Sequence, residues 1–256
     1  LRRQTEGGWI GVHEGREMEV DRLLLDRFLT NILQLEILDI AKEVPTDVDL
    51  QNFGLLKPRI ALTFFERAAS SNAAGTNVAT LQLTFGTNIA NRVLARRSDE
   101  VPVYFTPLAQ LLHLPDEAFE LRDRRLWSIP STTISRVSFS NRAGTNSLVR
   151  GPSQTWSEDP IFNEAINEAV LRLSTLEVVE WVSKGAHRKP ALGIGPAPLT
   201  LTIEAAGKEY RVEFGSETMQ RNVYAAVRLP GESEPVLFQF PGLQFYSLLQ
   251  LLPVPK

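Results

Sequence analysis

The chain contains three histidines, His13, His113 and His187, which are candidate metal ligands. A protein metal site needs several His, Asp or Glu side chains that converge on one point. None of the three histidines has such a partner at the spacing of a helix or a hairpin. The side chains of His13 and Glu14 are adjacent in sequence, so they point apart in either element. We therefore interpret the histidines as surface residues and predict neither a metal site nor a cofactor.

The most concentrated charged feature is the run Arg122-Asp123-Arg124-Arg125, which is followed by Trp127. As a functional site, Arg122, Arg124, Arg125 and Trp127 would bind an anionic partner or a membrane surface. The alternative is structural: the run joins two halves of the chain, and Asp123 neutralises one arginine. We favour the structural interpretation and keep these four residues as the candidate binding site.

Catalytic motifs are missing from the sequence. It contains no Gly-x-Ser-x-Gly nucleophile elbow. The run Gly193-Ile194-Gly195 is similar to a phosphate-binding loop, but three prolines surround it and a strand pattern follows where a helix should begin. A carboxylate pair for glycoside chemistry stays open, because such pairs are defined by distance in space. The candidates, which lie on the polar sides of predicted helices, are Asp21, Asp26, Glu164 and Glu168. We predict no catalytic residues.

Composition excludes several classes of protein. The 256 residues are 43% hydrophobic and 22% charged, which indicates a folded chain with a sizeable core. A net charge of −3 argues against a nucleic-acid partner. The absence of cysteine excludes disulfides and thiolate chemistry. No apolar run approaches the roughly 20 residues that cross a bilayer. The chain begins at Leu1, so we expect any signal or anchor to have preceded it.

A repeated pattern organises the elements that must position these residues. Leu81-Gln82-Leu83-Thr84-Phe85-Gly86 and Tyr210-Arg211-Val212-Glu213-Phe214-Gly215 are both alternating strands that end at glycine. Further matches keep the same order along the chain: Trp9 with Trp156, Gly54 with Gly193, and Leu62 with Leu201. An ordered series of this kind indicates an internal duplication.

The predicted fold is therefore α+β, with two tandem related units at residues 1–128 and 129–256. Each unit is an antiparallel sheet with a helix packed on one face. The first helix has the face Val20, Leu24, Phe28, Ile32 and Leu35, with Glu17, Glu19 and Asp21 in its first turn. The second helix is capped by Asp159-Pro160 and has the face Phe162, Ile166, Ala169, Leu173 and Leu176. Trp9 and Trp156 are expected to pack helix against sheet.

One strand is expected to be missing from the first unit. In the second unit, residues 134–140 form a strand that pairs with the segment leading to Trp156. The equivalent strand of the first unit would lie before Leu1. We expect either an open sheet edge at that place or another segment that fills it.

The order of short motifs resembles a known family. Its members are the bacterial proteins called domain of unknown function 4340. The matching residues are Trp9, Asn52-Phe53-Gly54-Leu55-Leu56-Lys57-Pro58, Phe85-Gly86, Val103-Tyr104-Phe105 and Leu121-Arg122-Asp123-Arg124. The resemblance covers nearly the whole chain, although Gly193-Ile194-Gly195-Pro196 replaces the turn in the second unit. It implies an N-terminal membrane anchor, an extracytoplasmic body and an association with gliding-motility-type ABC export systems. It implies no catalytic residues.

The lack of catalytic motifs predicts a non-enzymatic binding or scaffold protein, and the resemblance implies that it is an accessory subunit of an ABC-type transport or cell-surface assembly system. Its partners would be the ABC permease and ATPase, and it would be anchored to the inner membrane on the periplasmic or extracytoplasmic side. The alternative is an enzyme that acts on cell-envelope polysaccharide or peptide at a site between the two repeats. A third possibility is a cytoplasmic module without an anchor.

Overall fold

The computed structural model of the protein describes residues 1–4, 8–13, 15–67, 77–112, 114–115 and 117–256. Within these residues the strands are β1 (Arg2–Arg3), β2 (Trp9–His13), β3 (Arg16–Glu19), β4 (Asp39–Lys42), β5 (Ile60–Arg67), β6 (Asn77–Ile89), β7 (Arg92–Arg97), β8 (Val103–Pro107), β9 (Ile134–Asn141), β10 (Gly144–Val149), β11 (Glu180–Lys184), β12 (Leu199–Ala205), β13 (Lys208–Glu217), β14 (Val223–Val227) and β15 (Val236–Phe240). The α-helices are α1 (Arg22–Leu33), α2 (Asp47–Asn52), α3 (Leu108–Leu111), α4 (Pro160–Ser174) and α5 (Gly242–Leu251).

The chain divides into two compact units. The small unit is Arg22–Asp116, and the large unit combines Leu1–Asp21 with Glu117–Lys256. The predicted boundary between residues 128 and 129 separates two sequence repeats, whereas the compact units are defined by contacts. A boundary defined by contacts does not test a boundary between sequence repeats, so the repeat boundary stays a prediction.

The small unit is built on a five-stranded antiparallel sheet in the order β4-β8-β7-β6-β5. Neighbouring side chains of β7 point to opposite faces, as strand geometry requires. Val93 packs with Ile32 of α1 and Leu111 of α3 on one face. Leu94 packs with Leu50 of α2 on the other face. The helices therefore cover both sides of this sheet.

The large unit is built on a seven-stranded antiparallel sheet in the order β10-β9-β12-β13-β14-β15-β11. Phe139, Phe214 and Phe240 lie on one face, where they pack with Ile166 of α4 and Phe245 of α5. A smaller apolar cluster that includes Ile194 lies apart from this main core. β1, β2 and β3 form a separate three-stranded sheet. The predicted mixed α+β class with antiparallel sheets is confirmed.

Five strands have the same order in both units, since β5-β6-β7-β8-β4 corresponds to β12-β13-β14-β15-β11. Phe85 lies opposite Ala95 in the first sheet, and Phe214 lies opposite Ala225 in the second. The register shifts just after each phenylalanine, between Phe85 and Asn88 and between Phe214 and Glu217. β4 and β11 each carry a further shift, at Ile40/Lys42 and at Trp181/Ser183. The correspondence thus extends to the irregularities of the strands.

Two predicted helix starts were wrong. Glu17 and Glu19 lie in β3, which pairs with β2, and the first helix begins at Arg22 without acidic residues in its first turn. Pairing with β2 therefore outweighs the tendency of acidic residues to start a helix. The sequence Thr106-Pro107 also predicts a helix start, with Thr106 as the N-cap. In the structure Thr106 is buried in β8, and Pro107 occupies the N-cap of α3.

Other local predictions are confirmed or fall outside the structure. Asp159 caps α4, where its carboxylate accepts hydrogen bonds from the Ile161 and Phe162 N–H groups, and Pro160 takes the first helical position. The stretch from Ser70 to Asn77 is rich in Ser, Asn, Ala and Gly and therefore predicts a loop. It lies outside the described residues except for Asn77, where β6 begins.

Candidate functional site

The predicted binding segment, residues 122–127, is an irregular stretch of the large unit that main-chain hydrogen bonds hold on both sides. The N–H of Asp123 donates to the carbonyl of Glu19 over 3.0 Å, at the end of β3. The N–H of Leu126 donates to the carbonyl of Leu176 over 2.8 Å, just beyond α4. These bonds fix the direction in which each side chain of the segment leaves the backbone.

Arg122 belongs to what we call the charged cluster, which consists of Arg122, Lys184 and Glu232. Its Nη1 lies 3.4 Å from Glu232 Oε1. Its guanidinium carbon lies 5.0 Å from the ring centroid of Trp181, within the range of a cation–π contact. Arg122 is therefore held by a carboxylate and an aromatic face, and only about a fifth of its side chain is exposed (21%).

Lys184 completes the charged cluster from β11. Its Nζ donates to Glu232 Oε2 over 3.2 Å and lies 5.8 Å from the ring centroid of Phe119. Burial of Glu232 acts to raise its pKa, but the hydrogen bond and charge of Lys184, together with Arg122, outweigh it. The pKa of Glu232 is therefore lowered, and its carboxylate is ionised at neutral pH.

Arg124 and Arg125 differ in their surroundings. Arg124 Nε donates to Asp21 Oδ2 over 2.8 Å, and this hydrogen bond raises the pKa of Arg124. Arg125 is exposed, while its main-chain N–H donates to the Asp123 carboxylate over 2.8 Å. Arg125 is thus the arginine of the predicted site that is most open to solvent.

Trp127 has its own set of contacts. Its indole Nε1–H donates to the carbonyl of Leu173 over 2.7 Å, near the end of α4. Its ring meets Tyr210 of β13 edge to face, with centroids 5.5 Å apart. The tryptophan therefore ties α4 to the sheet, which is the role that paired polar and apolar contacts give to such a side chain.

The loop that carries Glu232 is fixed by a left-handed glycine and by the β2–β3 hairpin. Gly231 has a φ of +80°, a conformation that glycine adopts without strain. The N–H of Glu232 donates to the carbonyl of Leu229 over 3.1 Å. The guanidinium of Arg16 in β3 donates to the carbonyl of Gly231. The charged cluster thus joins β11, the segment after residue 121 and this loop.

The histidines do not converge. His13 Nε2 lies 3.7 Å from Glu117 Oε2, and its ring packs against Phe119 with centroids 5.7 Å apart. His187 is exposed, and His113 lies outside the described residues. In the part of the chain that the structure describes, no three His, Cys, Asp or Glu side chains are grouped as metal ligands would be.

The candidate carboxylates for glycoside chemistry have separate surroundings. Asp21 is paired with Arg124, as described above. Asp26 Oδ2 lies 3.9 Å from Arg22 Nε one helical turn away, and Glu168 pairs with Arg172 on α4. Glu164 is exposed. Ion pairs of this kind on a helix surface are an ordinary solvated arrangement.

An exposed tryptophan can serve as a stacking platform for sugars, but Trp156 is buried. The guanidinium carbon of Arg150 lies 4.8 Å from its ring centroid, and Arg150 itself donates to the carbonyls of Ser131 and Thr132. One face of the indole is therefore covered by an arginine of the same chain.

Sequence reasoning missed most of the charged cluster. Lys184 and Glu232 are 48 residues apart, and Arg122 is 110 residues from Glu232, so no local motif joins them. As an assembled site, the cluster carries two cations and one ionised carboxylate. Because the lowered pKa of Glu232 makes it a weak base, the cluster is poorly suited to proton transfer.

Comparison with known proteins gives one positive result. A family model described as Domain of unknown function (DUF4340) matches residues 11–196, which is more than half of the chain. No curated protein and no solved structure matches the chain.

Proposed function

Because the chain belongs to the domain of unknown function 4340 family, we propose that it is a non-enzymatic binding or scaffold protein. In this proposal it serves as an accessory subunit of an ABC-type transport or cell-surface assembly system. Its partners are a membrane permease and an ATPase. The body lies outside the cytoplasm and is attached to the inner membrane through an N-terminal anchor outside this chain.

The exposed Arg125 is the observation that supports a binding role most directly, because the ion pairs around it hold its backbone in place. Arg122 and Lys184 both engage Glu232, and Arg124 engages Asp21, so the charges serve to fix loops and strands. Arg125 projects from this rigid base with an exposed side chain. A fixed backbone with an exposed arginine suits a docking surface for an anionic partner, because the guanidinium can form paired hydrogen bonds to a carboxylate or phosphate and the backbone needs no reordering on binding.

We also propose that the two sheets descend from one duplicated unit. The shared strand order and the shared register shifts support this, because independent sheets have no reason to carry irregularities at matching places. Phe85 and Phe214, which the sequence pairs, lie in corresponding strands.

A close approach of the backbone gives further support for duplication. A Cβ added at Gly86 would overlap the carbonyl oxygen of Phe53, and one added at Gly215 would overlap that of Leu192. The residue after Phe53 is Gly54 and the residue after Leu192 is Gly193, with φ values of +70° and +74°. In both sheets, therefore, a strand glycine packs against the main-chain carbonyl that precedes a left-handed glycine.

The described residues contain no helix that is long and apolar enough to span a bilayer. Membrane attachment therefore enters the proposal only through the family resemblance, and it requires a direct test.

Affinity purification of the full-length, membrane-anchored protein in mild detergent tests the proposed role. We expect an ATPase and its permease to co-purify with it, and we expect mass spectrometry to identify them. Recovery of the protein alone from the same extracts would contradict the transport role. Hydrolysis of cell-envelope polysaccharide or peptide by the purified protein would favour the enzymatic alternative instead.

A further inference from the structure

β5 is the end strand of the small-unit sheet, and among the described residues no strand pairs with its outer edge. Such an edge presents unpaired N–H and C=O groups, which proteins usually protect with charges, prolines, bulges or a short strand. β5 has eight residues, and positions 60–65 contain neither a charge nor a proline. Phe65 is also 60% exposed. β5 ends in the charged residues Glu66-Arg67, and its pairing with β6 shifts between Phe64 and Phe65, so the apolar and unprotected part of the edge is the segment from Ile60 to Phe64.

The corresponding strand of the large unit shows what an occupied edge looks like. β12 pairs on its outer side with β9, antiparallel, so that Leu201 lies opposite Phe139, Thr202 opposite Ser138 and Ile203 opposite Val137. Leu201 and Ile203 have no exposed surface. Coverage by the large side chains of β9 accompanies this complete burial.

The equivalent apolar side chains of β5 are only half-buried. Leu62 lies opposite Leu83, as Leu201 lies opposite Val212, which makes Leu62 the counterpart of Leu201. Phe64 is by the same register the counterpart of Ile203. Both Leu62 and Phe64 pack against the small-unit core but keep some exposed surface. An added strand with large side chains at alternate positions would cover them.

The sequence of β5 resembles that of β9, the strand that covers the corresponding edge in the large unit. Val137-Ser138-Phe139 of β9 is a large, hydroxyl, large triplet, and Leu62-Thr63-Phe64 of β5 repeats it in the same chain direction. We propose that β5 pairs antiparallel with β5 of a second copy of this chain. Thr63 then lies opposite Thr63 of the second copy, and Leu62 opposite Phe64. Over residues 61–65 the two edges are self-complementary, as a two-fold interface demands.

Self-pairing in this register joins the two five-stranded sheets into one continuous sheet. It gives Leu62 and Phe64 the cross-strand neighbours that Leu201 and Ile203 already have, and it satisfies the main-chain groups of the edge. Self-pairing of β5 is independent of the proposed transport role, because it follows from strand register alone.

The test measures the mass of the chain by analytical ultracentrifugation over a range of concentrations. We expect the wild type to form a dimer. Thr63→Lys and Thr63→Glu place like charges directly opposite each other, so each variant should weaken the dimer by about tenfold or more. An equimolar mixture of the two variants should restore the dimer, because lysine then faces glutamate. Gln82→Lys is the matched control, since Gln82 is exposed on the neighbouring strand and should leave the dimer intact.

A second measurement does not depend on charge. The chain contains no cysteine, so Thr63→Cys introduces a single thiol that should form an intermolecular disulfide in the dimer much faster than Gln82→Cys does. A wild type that stays monomeric at all concentrations would overturn the proposal. So would a dimer that Thr63→Lys leaves unchanged, or a mixture that fails to restore it. A monomer that instead binds a peptide of the β9 sequence would also overturn self-pairing.

Discussion

Glu232 is the residue on which the charged cluster depends, because it engages both Arg122 and Lys184. Replacing it by glutamine would leave two cations, each about four-fifths buried, without the carboxylate between them. We expect Glu232→Gln to lower the free energy of unfolding by about 1–2 kcal/mol, less than for a fully buried pair because solvent screens the charges. Urea denaturation measures this.

Glu209→Gln provides the matched control for that change. Glu209 pairs with Arg211 on β13, but about half of its side chain is exposed. Exposed ion pairs of this kind contribute little, so we expect a change within about 0.5 kcal/mol. Equal effects of the two substitutions would mean that the charged cluster is not a structural unit.

The lowered pKa of Glu232 also predicts a pH dependence. A carboxylate whose pKa is lower in the folded state stabilises the protein fully above its unfolded value, 4.5 here. That contribution is lost as the pH falls through the folded-state pKa. The stability difference between wild type and Glu232→Gln should therefore be constant near neutral pH and shrink below pH 4.5. A difference that grows on acidification would contradict this assignment.

Arg125 is the residue at which the proposed partner contact can be separated from folding. Because its side chain is exposed, Arg125→Glu should leave the free energy of unfolding, measured by urea denaturation, unchanged within about 0.5 kcal/mol. We expect it to reduce co-purification of the membrane partners, since it reverses the charge offered to an anionic surface. Arg142 is another exposed arginine, in the turn between β9 and β10, and Arg142→Glu should not reduce co-purification. The same recovery of partners with both variants would exclude Arg125 from the contact.

At the scale of the element, Gly86 and Gly215 lie at the register shifts of β6 and β13, and each leads to a prediction about stability. Alanine at Gly86 or Gly215 would place a Cβ against a main-chain carbonyl, which cannot move as a flexible side chain can. We expect each substitution to cost about 2–3 kcal/mol, as overpacking does elsewhere. Thermal and urea unfolding measure the loss.

Gly195→Ala is the control for these substitutions, because a Cβ at Gly195 would meet no atom within 4 Å. We expect it to be close to neutral. A neutral Gly86→Ala together with a costly Gly215→Ala would also count against the proposed equivalence of the two sheets.

Much of the element order could be predicted from sequence, because strand alternation and helix caps are local signals. Asp159-Pro160 marks the start of α4 for this reason, and the alternation of Ile60, Leu62 and Phe64 predicts a strand where β5 is found. α2 was missed although its signal is present. Thr46 and Asp49 form a reciprocal capping box that a search for this spacing would have found.

The edge strands β4 and β11 could not be predicted in the same way. β4 has four residues, Asp39–Lys42, and it is defined by its pairing with β8 rather than by its own pattern. Trp181 of β11 is almost fully buried. The residue types around it do not alternate between apolar and polar, and the pairing register shifts between Trp181 and Ser183. Non-local pairing decides such strands, and one sequence does not reveal it.

The candidate site was predicted in part for the same physical reason. A run of arginines is visible in sequence, so Arg122 and Arg124 were found. Arg122 forms its ion pair with Glu232, which also binds Lys184, and these two residues are distant from Arg122 in the chain and belong to no motif.

At the scale of the whole molecule, contacts and sequence repeats divide the chain differently. β2 and the 3₁₀ turn Ala118–Leu121 belong to the large unit together with the second sheet. Asp21 and Leu121 are joined by a main-chain hydrogen bond of 2.9 Å, so the two chain crossings into the small unit lie side by side. A sequence repeat reports ancestry, whereas a compact unit reports which surfaces are buried together.

This difference leads to a prediction about which fragment folds. A protein in which a short glycine linker replaces residues 22–116 keeps the charged cluster and the main core of the large unit. Residues 129–256 alone lack Phe119 and Arg122, so Lys184 loses its aromatic neighbour and Trp181 loses its cation. We expect cooperative thermal unfolding for the first protein, and for the second a midpoint several degrees lower or no cooperative transition. Circular dichroism and calorimetry measure both. If residues 129–256 are as stable as the linked protein, the repeat boundary is also the folding boundary, and the charged cluster contributes little to the stability of the large unit.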